Sequence, residues 1–287
     1  MPEGHTIHRA ARKQREILAG ERLAATSPQG RFSDGAGALD GRLLKDIEAY
    51  GKHLFYRFED DLVLHVHLGL FGRFFTHKGE IPDPRGAIRL RLVAPEAAID
   101  LRGPTACELI DADDEARLLG RLGPDPLRAD ADPERAWQRI SRSRREIGAL
   151  VMDQSVMAGV GNVYRAEALH VLGIHPAREG RSLSQDDFDD LWATVCRMLA
   201  DGERAGRIVT VSAEDAGVPR SRIPRGERTY VYRQRACRSC GAPVACWDIA
   251  GRRAWACEAC QHQEGLPRPG CEDHREIAHK GRTPLHG

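Results

Sequence analysis

Four cysteines in two Cys-x-x-Cys pairs constrain the fold of this chain more than any other feature. Cys237 and Cys240 form the first pair, Cys257 and Cys260 form the second, and sixteen residues separate the pairs. This spacing is typical of a four-thiolate zinc site, in which each pair supplies two sulfur atoms from one tight turn. The alternative is two disulfides in a secreted protein. Because the N-terminus has no apolar signal-peptide segment, we expect a reducing cytoplasm and one structural Zn²⁺.

The region around these cysteines is strongly basic, although the whole chain has a formal net charge of only +1. From Arg220 to His262 there are nine arginines, no lysine and three acids, which leaves a local charge of +6. A local excess of arginine is typical of a surface that binds phosphates. Apolar and aromatic residues on both sides of Gly251-Arg252-Arg253 predict a short hairpin with arginines at its tip.

The N-terminus, Met1-Pro2-Glu3, predicts an unusual nucleophile. Initiator methionine is normally removed when the next residue is small, and its removal would expose the secondary amine of Pro2 beside the carboxylate of Glu3. An α-amino group titrates near ~8, so a useful fraction is unprotonated at neutral pH. Such amines form Schiff bases with sugar aldehydes. By itself Pro2 is more often a tolerated second residue, so this prediction depends on the other motifs.

The pattern of apolar residues predicts a sheet-rich first part and a helical second part. An amphipathic helix is predicted directly after Glu3, and alternating apolar residues predict strands at 52–58, 62–75, 87–93 and 98–102. The segment 124–136 is rich in proline and acids, which predicts a linker, and helical periodicity follows it. The polar tail, residues 263–287, is expected to be disordered.

The remaining histidines and cysteines do not predict a second metal site. His65 and His67 alternate with apolar residues and therefore share one face of a predicted strand, where a structural role is favoured over a metal pair. The histidines of the tail are expected to be solvated. Four further cysteines have no partner at ligand spacing and are expected to be free thiols: Cys107, Cys196, Cys246 and Cys271.

The most specific motif is the run from Met157 to Leu169. Within it Gly159 and Gly161 allow tight turns, and Asn162 is a candidate cap for the helix that follows. Exposed N–H groups at such a helix N-terminus suit a phosphate. A Gly-x-Gly sequence before a helix is common, but the whole run resembles the helix–two-turn–helix motif of the formamidopyrimidine-DNA glycosylase/endonuclease VIII family.

The resemblance extends from residue 1 to about residue 261 and includes further landmarks in the family's order. They are Pro2-Glu3, Tyr50-Gly51-Lys52-His53-Leu54, His67-Leu68-Gly69-Leu70-Phe71-Gly72, Arg121-Leu122-Gly123-Pro124-Asp125 and the cysteine hairpin ending at Gln261. The resemblance implies an α+β multidomain fold. A catalytic β-sandwich domain with an initial helix (1–123) would be followed by the linker (124–136), a helix–two-turn–helix DNA-binding domain (137–234) and a zinc finger (235–262).

The resemblance also implies an activity: a bifunctional DNA glycosylase and AP lyase of base excision repair, with damaged DNA as its partner and no organic cofactor. Pro2 would be the Schiff-base nucleophile and Glu3 the carboxylate that transfers a proton. Lys52 would be a catalytic lysine on the phosphate side. Asn162 and Arg252 would hold the phosphates around the lesion, Arg252 as part of the catalytic machinery.

Three further residues are implied to bind DNA. Arg121 looks similar to a DNA contact of the family. A base in a duplex must leave the stack before its sugar carbon can be reached, and apolar side chains can fill the gap that it leaves. Leu70 and Phe71, which lie beside glycines at a predicted strand turn, are the candidates for this role. The alternative is that one or both are core residues.

Two positions depart from the family's pattern. Thr6 stands where the family usually has a second glutamate, so the proton relay or base contact of that residue is in question. Ala256 stands where an aromatic residue usually precedes the third cysteine. Gly4 and the segment 101–108 are more similar to the endonuclease VIII branch, which prefers oxidised pyrimidines, and the Arg-Arg-Phe-Gly loop of the 8-oxoguanine branch is absent from the sequence.

Other functions stay open on the sequence alone. They are a glycosylase for purine lesions, a zinc-ribbon protein that binds nucleic acid without catalysis, and a catalytically inactive relative. Because no apolar run approaches the ~20 residues of a membrane-spanning helix, no membrane partner is expected. We expect a monomer in the bacterial cytoplasm.

Overall fold

The structure, a computed structural model, describes residues 2–261. Met1 and residues 262–287 lie outside the described residues, and so do the predictions that concern the removal of Met1, the tail, its histidines and Cys271. The chain forms two compact units that divide between Ala131 and Asp132. The domain limits predicted from the sequence stay predictions.

The first unit combines an antiparallel sheet with helices. Its helices are α1 (Gly4–Leu18), α2 (Ser33–Leu39) and α3 (Ala112–Gly120). Its strands are β1 (Arg22–Thr26), β2 (Arg42–Tyr50), β3 (His53–Phe58), β4 (Val63–His67), β5 (Arg73–Lys78), β6 (Ile88–Ala94), β7 (Ala97–Arg102) and β8 (Ala106–Ile110).

Helix α1 forms where the sequence predicts an amphipathic helix. Its buried apolar residues, Ile7, Ala11 and Leu18, recur at the spacing of one helix face. Arg15 lies in the last turn, where a positive charge interacts favourably with the helix dipole. This face packs against β2 and places the N-terminus of the helix on the sheet.

The sheet folds over one hydrophobic core. Its strand order is β5-β7-β6-β1-β2-β3-β4-β8, and every neighbouring pair is antiparallel. Strands β1 and β2 pair through two registered positions, so the sheet has a narrow join at this point. One core cluster contains side chains from both sides of the join, among them Leu23, Ile47, Tyr56, Leu92 and Ile99. The predicted β-sandwich with an initial helix is confirmed.

The predicted strand 62–75 is wrong, because the chain turns in its middle. Strand β4 ends at His67 and β5 begins at Arg73. Gly69 lies in the turn with φ 64°, and a Cβ atom there would lie 1.9 Å from Oγ1 of Thr105. Only glycine fits such a position. Apolar alternation continues through this turn and does not mark it, whereas the glycines beside Leu70 and Phe71 predict it correctly.

The segment predicted as a linker is ordered where the structure describes it. Asp125 is buried, and the first unit continues as far as Ala131. Helix α4 (Pro133–Ile140) already begins within the predicted linker, with the side chain of Asp132 accepting from the N–H of Glu134. Proline at the first helical position has no N–H to leave unsatisfied, which explains why this helix begins there.

The second unit is helical and ends in a two-stranded hairpin. After α4 come α5 (Ile147–Leu150), α6 (Asn162–Val171), α7 (Gln185–Ala205) and α8 (Ala213–Ala216), followed by β9 (Ala245–Ile249) and β10 (Arg252–Ala256). Short 3-10 helices lie at Gly180–Ser182, Arg220–Arg222 and Arg225–Glu227. Among residues 2–261, no helix combines the length and apolar character that crossing a membrane requires.

The hairpin turn differs from the predicted Gly-Arg-Arg tip. Ile249 pairs with Arg252, and the two residues between them, Ala250 and Gly251, have φ values of 51° and 73°. Positive φ at both central residues is typical of the tight turns that match the twist of a hairpin. The arginines therefore do not form the turn, and Arg252 and Arg253 begin β10 beside it.

A buried carboxylate holds the chain between α8 and the hairpin. Glu167 of α6 is fully buried, and its two oxygens accept from the backbone N–H groups of Tyr230, Val231 and Tyr232 at 2.6, 3.0 and 2.8 Å. The hydroxyl of Thr210 donates to the same carboxylate. These donors compensate the desolvation of the charge, and the carboxylate fixes a segment that belongs to no strand.

We expect Glu167→Gln to loosen this segment, because an amide nitrogen cannot accept a hydrogen bond. The expected cost in local stability is about 2–4 kcal/mol. It should be measured as faster hydrogen exchange of the Tyr230, Val231 and Tyr232 amides. Glu214→Gln, at an exposed position of α8, is the matched control. Equal hydrogen-exchange rates of these three amides in the two variants would contradict the role of Glu167.

Candidate active site and metal centre

The first turn of α1 places Pro2 and Glu3 at the edge of the sandwich. Glu3 is fully buried and is the N-cap residue of α1, with extended backbone angles of φ −118° and ψ 176°. Its carbonyl oxygen accepts from the N–H of Thr6 at 2.8 Å. The N-terminal end of a helix favours a nearby negative charge. The fold therefore places a carboxylate, without direct access to bulk water, next to the residue predicted as nucleophile.

Pro2 lines a cavity of about 480 Å³ within the first unit. Arg9 and Lys13 of α1 line the same cavity, and so does Arg73 of β5. None of the lining residues that the structure describes is acidic. A cavity with three cationic side chains and no carboxylate on its wall is suited to an anionic ligand such as a phosphate.

Thr6 also lines this cavity, and its hydroxyl is hydrogen-bonded to a neutral imidazole. Oγ1 of Thr6 lies 3.1 Å from Nε2 of His5. Burial, reinforced by nearby positive charge, lowers the pKa of His5 to about 4. The Thr6–His5 pair is therefore uncharged near neutral pH, and it does not replace the charge of a glutamate.

Lys52 lies in a two-residue turn between β2 and β3. Tyr50 pairs with His53, and Gly51 takes a positive φ of 58° at the first central position. Glycine at that position is typical of a tight hairpin turn that matches the strand twist. The predicted strand at 52–58 thus begins one residue later than expected, because Lys52 belongs to the turn.

A chain of polar side chains lies beside this turn. Nδ1 of His53 is 2.9 Å from Nε2 of His65, and Nδ1 of His65 is 3.0 Å from Oε1 of Glu108. His67 pairs directly with His53 across the strands. These contacts give His53 and His65 hydrogen-bond partners on the face of the sheet opposite the core.

The histidines nearest to Lys52 are held neutral. Burial lowers the pKa of His53 to about 3, and the charges of neighbouring groups, including Lys52, act in the same direction. Burial also lowers the pKa of His67. The positive charge of this hairpin is therefore carried by Lys52 and not by the imidazoles.

The predicted gap-filling residues lie in the turn between β4 and β5. Leu70 is 52% exposed and Phe71 is 82% exposed, so neither is a core residue. Arg121 follows α3 as its C-cap residue and is exposed. Pro2, Glu3, Lys52, Leu70, Phe71 and Arg121 all belong to the first unit.

Asn162 does not cap α6, contrary to the sequence prediction. The N-cap residue is Gly161, and Asn162 is the first residue of the helix. Its side-chain Nδ2 donates to the carbonyl oxygen of Arg253 at 3.1 Å, so the amide binds the hairpin strand β10 instead of the helix backbone.

Arg165 completes this connection, and the sequence analysis did not identify it. Its guanidinium is buried, donates to Oδ1 of Asn162, and donates to the carbonyl oxygen of Arg253 at 2.6 Å. It also reaches the carbonyl oxygen of Gly148 at 3.3 Å. The available sequence signal was an arginine three residues after Asn162 in a predicted helix that is otherwise mainly apolar. Asn162 and the Arg252 hairpin are thus joined through one buried cation.

The four paired cysteines form a site that could hold one metal ion. Their sulfur atoms all lie within 4.8 Å of one another, with Cys237 and Cys260 at 3.9 Å and Cys240 and Cys257 at 3.5 Å. Four thiolates at ~2.3 Å from a tetrahedral ion are ~3.8 Å apart, so the arrangement fits such an ion. His170 lies 3.7 Å from the sulfur of Cys237 and 3.0 Å from Oγ of Ser239.

Two family models match the chain. The model described as the formamidopyrimidine-DNA glycosylase N-terminal domain matches residues 1–106. The model described as the formamidopyrimidine-DNA glycosylase H2TH domain matches residues 122–213. The two matches cover the regions that contain the N-terminal residues, the Lys52 turn and the Asn162 helix.

Curated relatives are similar over nearly the whole chain. Endonuclease 8 1 of Mycobacterium tuberculosis is 48% identical over 268 residues, which cover 91% of this chain and 100% of the relative. Probable endonuclease 8 2 of Streptomyces coelicolor is 33% identical over 290 residues, covering 94% and 97%. A formamidopyrimidine-DNA glycosylase of Thermomicrobium roseum is 32% identical over 235 residues, covering 75% and 80%.

Solved structures share the fold. Lactococcus lactis Fpg (MutM), in a complex with DNA containing N7-benzyl-Fapy-dG, matches with a TM-score of 0.74 at 23% identity, covering 91% of this chain and 100% of that chain. MutM in complex with DNA containing carbocyclic 8-oxo-G matches with a TM-score of 0.75 at 22% identity and the same coverage.

Proposed function

The chain belongs to the formamidopyrimidine-DNA glycosylase/endonuclease VIII family, in its endonuclease VIII-like branch, and from this membership we propose how its residues act on damaged DNA. It is a bifunctional DNA glycosylase and AP lyase of base excision repair. The main support for the mechanism is the position of Pro2, which lies next to the buried Glu3 and lines a cavity rich in cationic side chains.

Pro2 is the nucleophile of the proposed reaction. Its unprotonated amine attacks the sugar carbon C1′ of the damaged nucleotide, the bond from C1′ to the base breaks, and the base leaves as its protonated form. The amine then loses its proton, and the C1′–O4′ bond opens as O4′ takes up a proton, which leaves an iminium between the Pro2 nitrogen and C1′. This iminium makes the neighbouring C2′–H acidic. Loss of that proton drives β-elimination of the 3′ phosphate, and a second elimination releases the 5′ phosphate. Glu3 lies within one residue of the amine and is the carboxylate that moves protons in these steps.

Lys52 supplies positive charge for the phosphates in this mechanism. A phosphate leaving group is stabilised by a fixed cation close to it. Because His53 and His67 have lowered pKa values, they add no charge of their own near neutral pH. Lys52 therefore acts as a single point charge on a rigid hairpin.

Leu70 and Phe71 fill the gap that the extruded nucleotide leaves. They are exposed apolar side chains on a turn with a glycine-fixed conformation. Exposed apolar side chains of this size favour burial against another surface, and inserting them into a base stack removes them from water. Damaged DNA is the partner that accounts for both these residues and the cationic cavity.

Oxidised pyrimidines are the proposed lesion class. Gly4 is buried in the first turn of α1. This opening, together with the segment 101–108, is similar to the endonuclease VIII branch. The competing proposal is a glycosylase for purine lesions. Excision of 5-hydroxyuracil or thymine glycol should exceed excision of 8-oxoguanine from otherwise identical duplexes; the reverse order would favour the competing proposal. The monomeric state and the cytoplasmic location stay predictions.

One structural zinc ion is proposed at Cys237, Cys240, Cys257 and Cys260. Zinc prefers four thiolates in a tetrahedral arrangement, and the sulfur separations fit it. Binding an ion here would stabilise the fold locally, because the site draws together both ends of the hairpin segment. The ion would thereby hold Arg252 in place for a phosphate.

We expect Cys240→Ala to abolish stoichiometric zinc binding and to weaken binding to abasic-site DNA, while the first unit keeps its fold. Metal content should be measured by mass spectrometry of the native protein, and the sheet by circular dichroism. Cys246→Ala, at an exposed cysteine of β9, is the control and should keep the metal. Zinc-free native protein that binds DNA fully would contradict the proposal.

The Schiff base is tested by borohydride trapping on abasic-site DNA, with intact-mass measurement of the adduct. Processed protein that begins at Pro2 should be trapped, and Pro2→Gly should keep part of this reactivity through a primary amine. Protein that retains Met1 should not be trapped, because its proline nitrogen is an amide. Pro84→Gly, in an exposed loop, is the control and should react normally. Full trapping of protein that retains Met1 would refute Pro2 as the nucleophile.

Arg252 is proposed to bind a backbone phosphate and not a base. Arg252→Ala should weaken binding to all lesions alike and lower the slope of log affinity against log salt concentration by about 0.9. Asn162→Ala should weaken binding with little change in slope, because Asn162 is neutral. Arg204→Ala, at an exposed arginine of α7, is the control. A changed lesion preference with an unchanged slope would place Arg252 in the base pocket instead.

A further inference from the structure

Asp125 lies in the segment that the sequence predicts as a linker, yet its side chain is completely buried. Its oxygen Oδ2 accepts from Nε2 of His8 at 2.6 Å and from the backbone N–H of Gly51 at 2.7 Å. Its other oxygen, Oδ1, accepts from the N–H of Leu127 at 2.9 Å. One carboxylate thus connects three parts of the first unit: α1, the β2–β3 turn and the segment that leads to α4.

The bond to Gly51 fixes the turn that carries Lys52. In a two-residue turn, the direction in which the side chain of the second residue points depends on the backbone angles of the first residue. Gly51 has a positive φ, and its N–H points to Asp125. Loss of this hydrogen bond would therefore allow the backbone of Gly51 to rotate, and the side chain of Lys52 would change direction with it.

The bond to His8 fixes α1 to the same carboxylate. His8 lies one helical turn after Gly4, and Pro2 and Glu3 directly precede this turn. Asp125 therefore adds a direct polar connection between the Pro2 end of α1 and the Lys52 turn. This connection supplements the apolar packing of α1 on β2, which holds the helix on the sheet but does not contact the N–H of Gly51.

Further contacts hold the segment around Asp125 against the same turn. The hydroxyl of Tyr50 donates to the carbonyl oxygen of Gly123 at 2.9 Å. The guanidinium of Arg128 lies 5.4 Å from the centre of the Tyr50 ring. The segment is thus packed on both sides of Asp125, which keeps its carboxylate from shifting with the turn.

We propose that Asp125 is a positioning residue for strand cleavage: by holding Gly51 and His8 at one carboxylate, it sets Lys52 relative to Pro2 and Glu3. The proposal rests on the proposed function for the roles of Pro2 and Lys52. A carboxylate is suited to this task because it accepts from several donors at once, and charge-assisted hydrogen bonds are short and strong.

The isosteric variant Asp125→Asn separates the contact with Gly51 from the contact with His8. Its Oδ1 can still accept from Leu127, and its amide nitrogen can donate to the ring of His8. The same nitrogen cannot accept from Gly51, so the turn loses its anchor while the other contacts persist. Asp130→Asn is the matched control, since Asp130 lies in the same segment but is exposed and forms an ion pair with Arg128.

The experiment measures single-turnover cleavage of abasic-site duplex by full-length protein, together with the Kd for a duplex that contains a non-cleavable tetrahydrofuran site. Asp125→Asn should slow cleavage on the order of 10- to 100-fold, the size expected for a small misplacement of a reacting group. Its Kd should stay within about twofold of the wild type, since no phosphate-binding side chain is changed. Asp130→Asn should match the wild type in both.

A double-mutant cycle with Lys52→Ala distinguishes positioning from general loosening. If Asp125 acts through Lys52, Asp125→Asn should have little further effect once Lys52 is absent. A purely structural loss would slow both backgrounds by the same factor and would overturn the proposal. Wild-type cleavage by Asp125→Asn, or a Kd raised as much as the rate is lowered, would also overturn it.

His8→Phe keeps the proposal testable if Asp125→Asn does not fold. The phenyl ring keeps the shape of the imidazole but cannot donate to Asp125, and the Gly51 bond is left in place. We expect His8→Phe to slow cleavage and to have little further effect once Lys52→Ala is present. An unchanged cleavage rate would refute the positioning role of Asp125. Failure of the wild-type protein itself to form a borohydride adduct would instead refute the proposed function, so the two failures are distinguishable.

Discussion

In each unit, a buried carboxylate that accepts hydrogen bonds from backbone N–H groups holds an irregular segment of the chain. Asp125 does so for the Lys52 turn in the first unit, and Glu167 does so for residues 230–232 in the second. Burying an ionised group is costly unless several donors surround it. Because most of the donors here are main-chain groups, the same bonds that compensate the charge also fix backbone conformations, in addition to the strand pairing beside Lys52 and the apolar packing of Tyr230 and Val231.

A buried cation has the corresponding role between α6 and the cysteine hairpin. Arg165 donates to the carbonyl oxygen of Arg253 and to the side chain of Asn162, which donates to the same carbonyl. The position of Arg252, one residue before this carbonyl, therefore depends on the helix as well as on the cysteines. The phosphate contact proposed for Arg252 would therefore depend on both the helix and the cysteines, and loss of either support should weaken it.

The sequence predicted those features that have a local physical cause. The cysteine spacing identified the ligand set, and the apolar face of α1 identified the first helix, because both depend on residues close in sequence. The role of Asp125 could not be found in this way, since its partners His8 and Gly51 are 117 and 74 residues away. The cap at Asn162 was wrong for a related reason: its amide binds Arg253, 91 residues later, and long-range contacts override local preferences. Apolar alternation over residues 62–75 did not show where β4 ends, and the glycines beside Leu70 and Phe71 were the signal for the turn.

The first turn of α1 limits how protons can move at this site. Between Pro2 and His8 the only acid is Glu3, since Thr6 stands where the family usually has a second glutamate. The hydroxyl of Thr6 is hydrogen-bonded to His5, whose pKa is lowered to about 4 by burial, so this pair carries no charge near neutral pH. The favourable field at the N-terminus of the helix therefore acts on one carboxylate and is not shared with a second. A neutral hydroxyl can orient a base by hydrogen bonding but is a poor proton acceptor, so in the proposed mechanism Glu3 is the one carboxylate of this turn that can exchange protons with the base and the sugar.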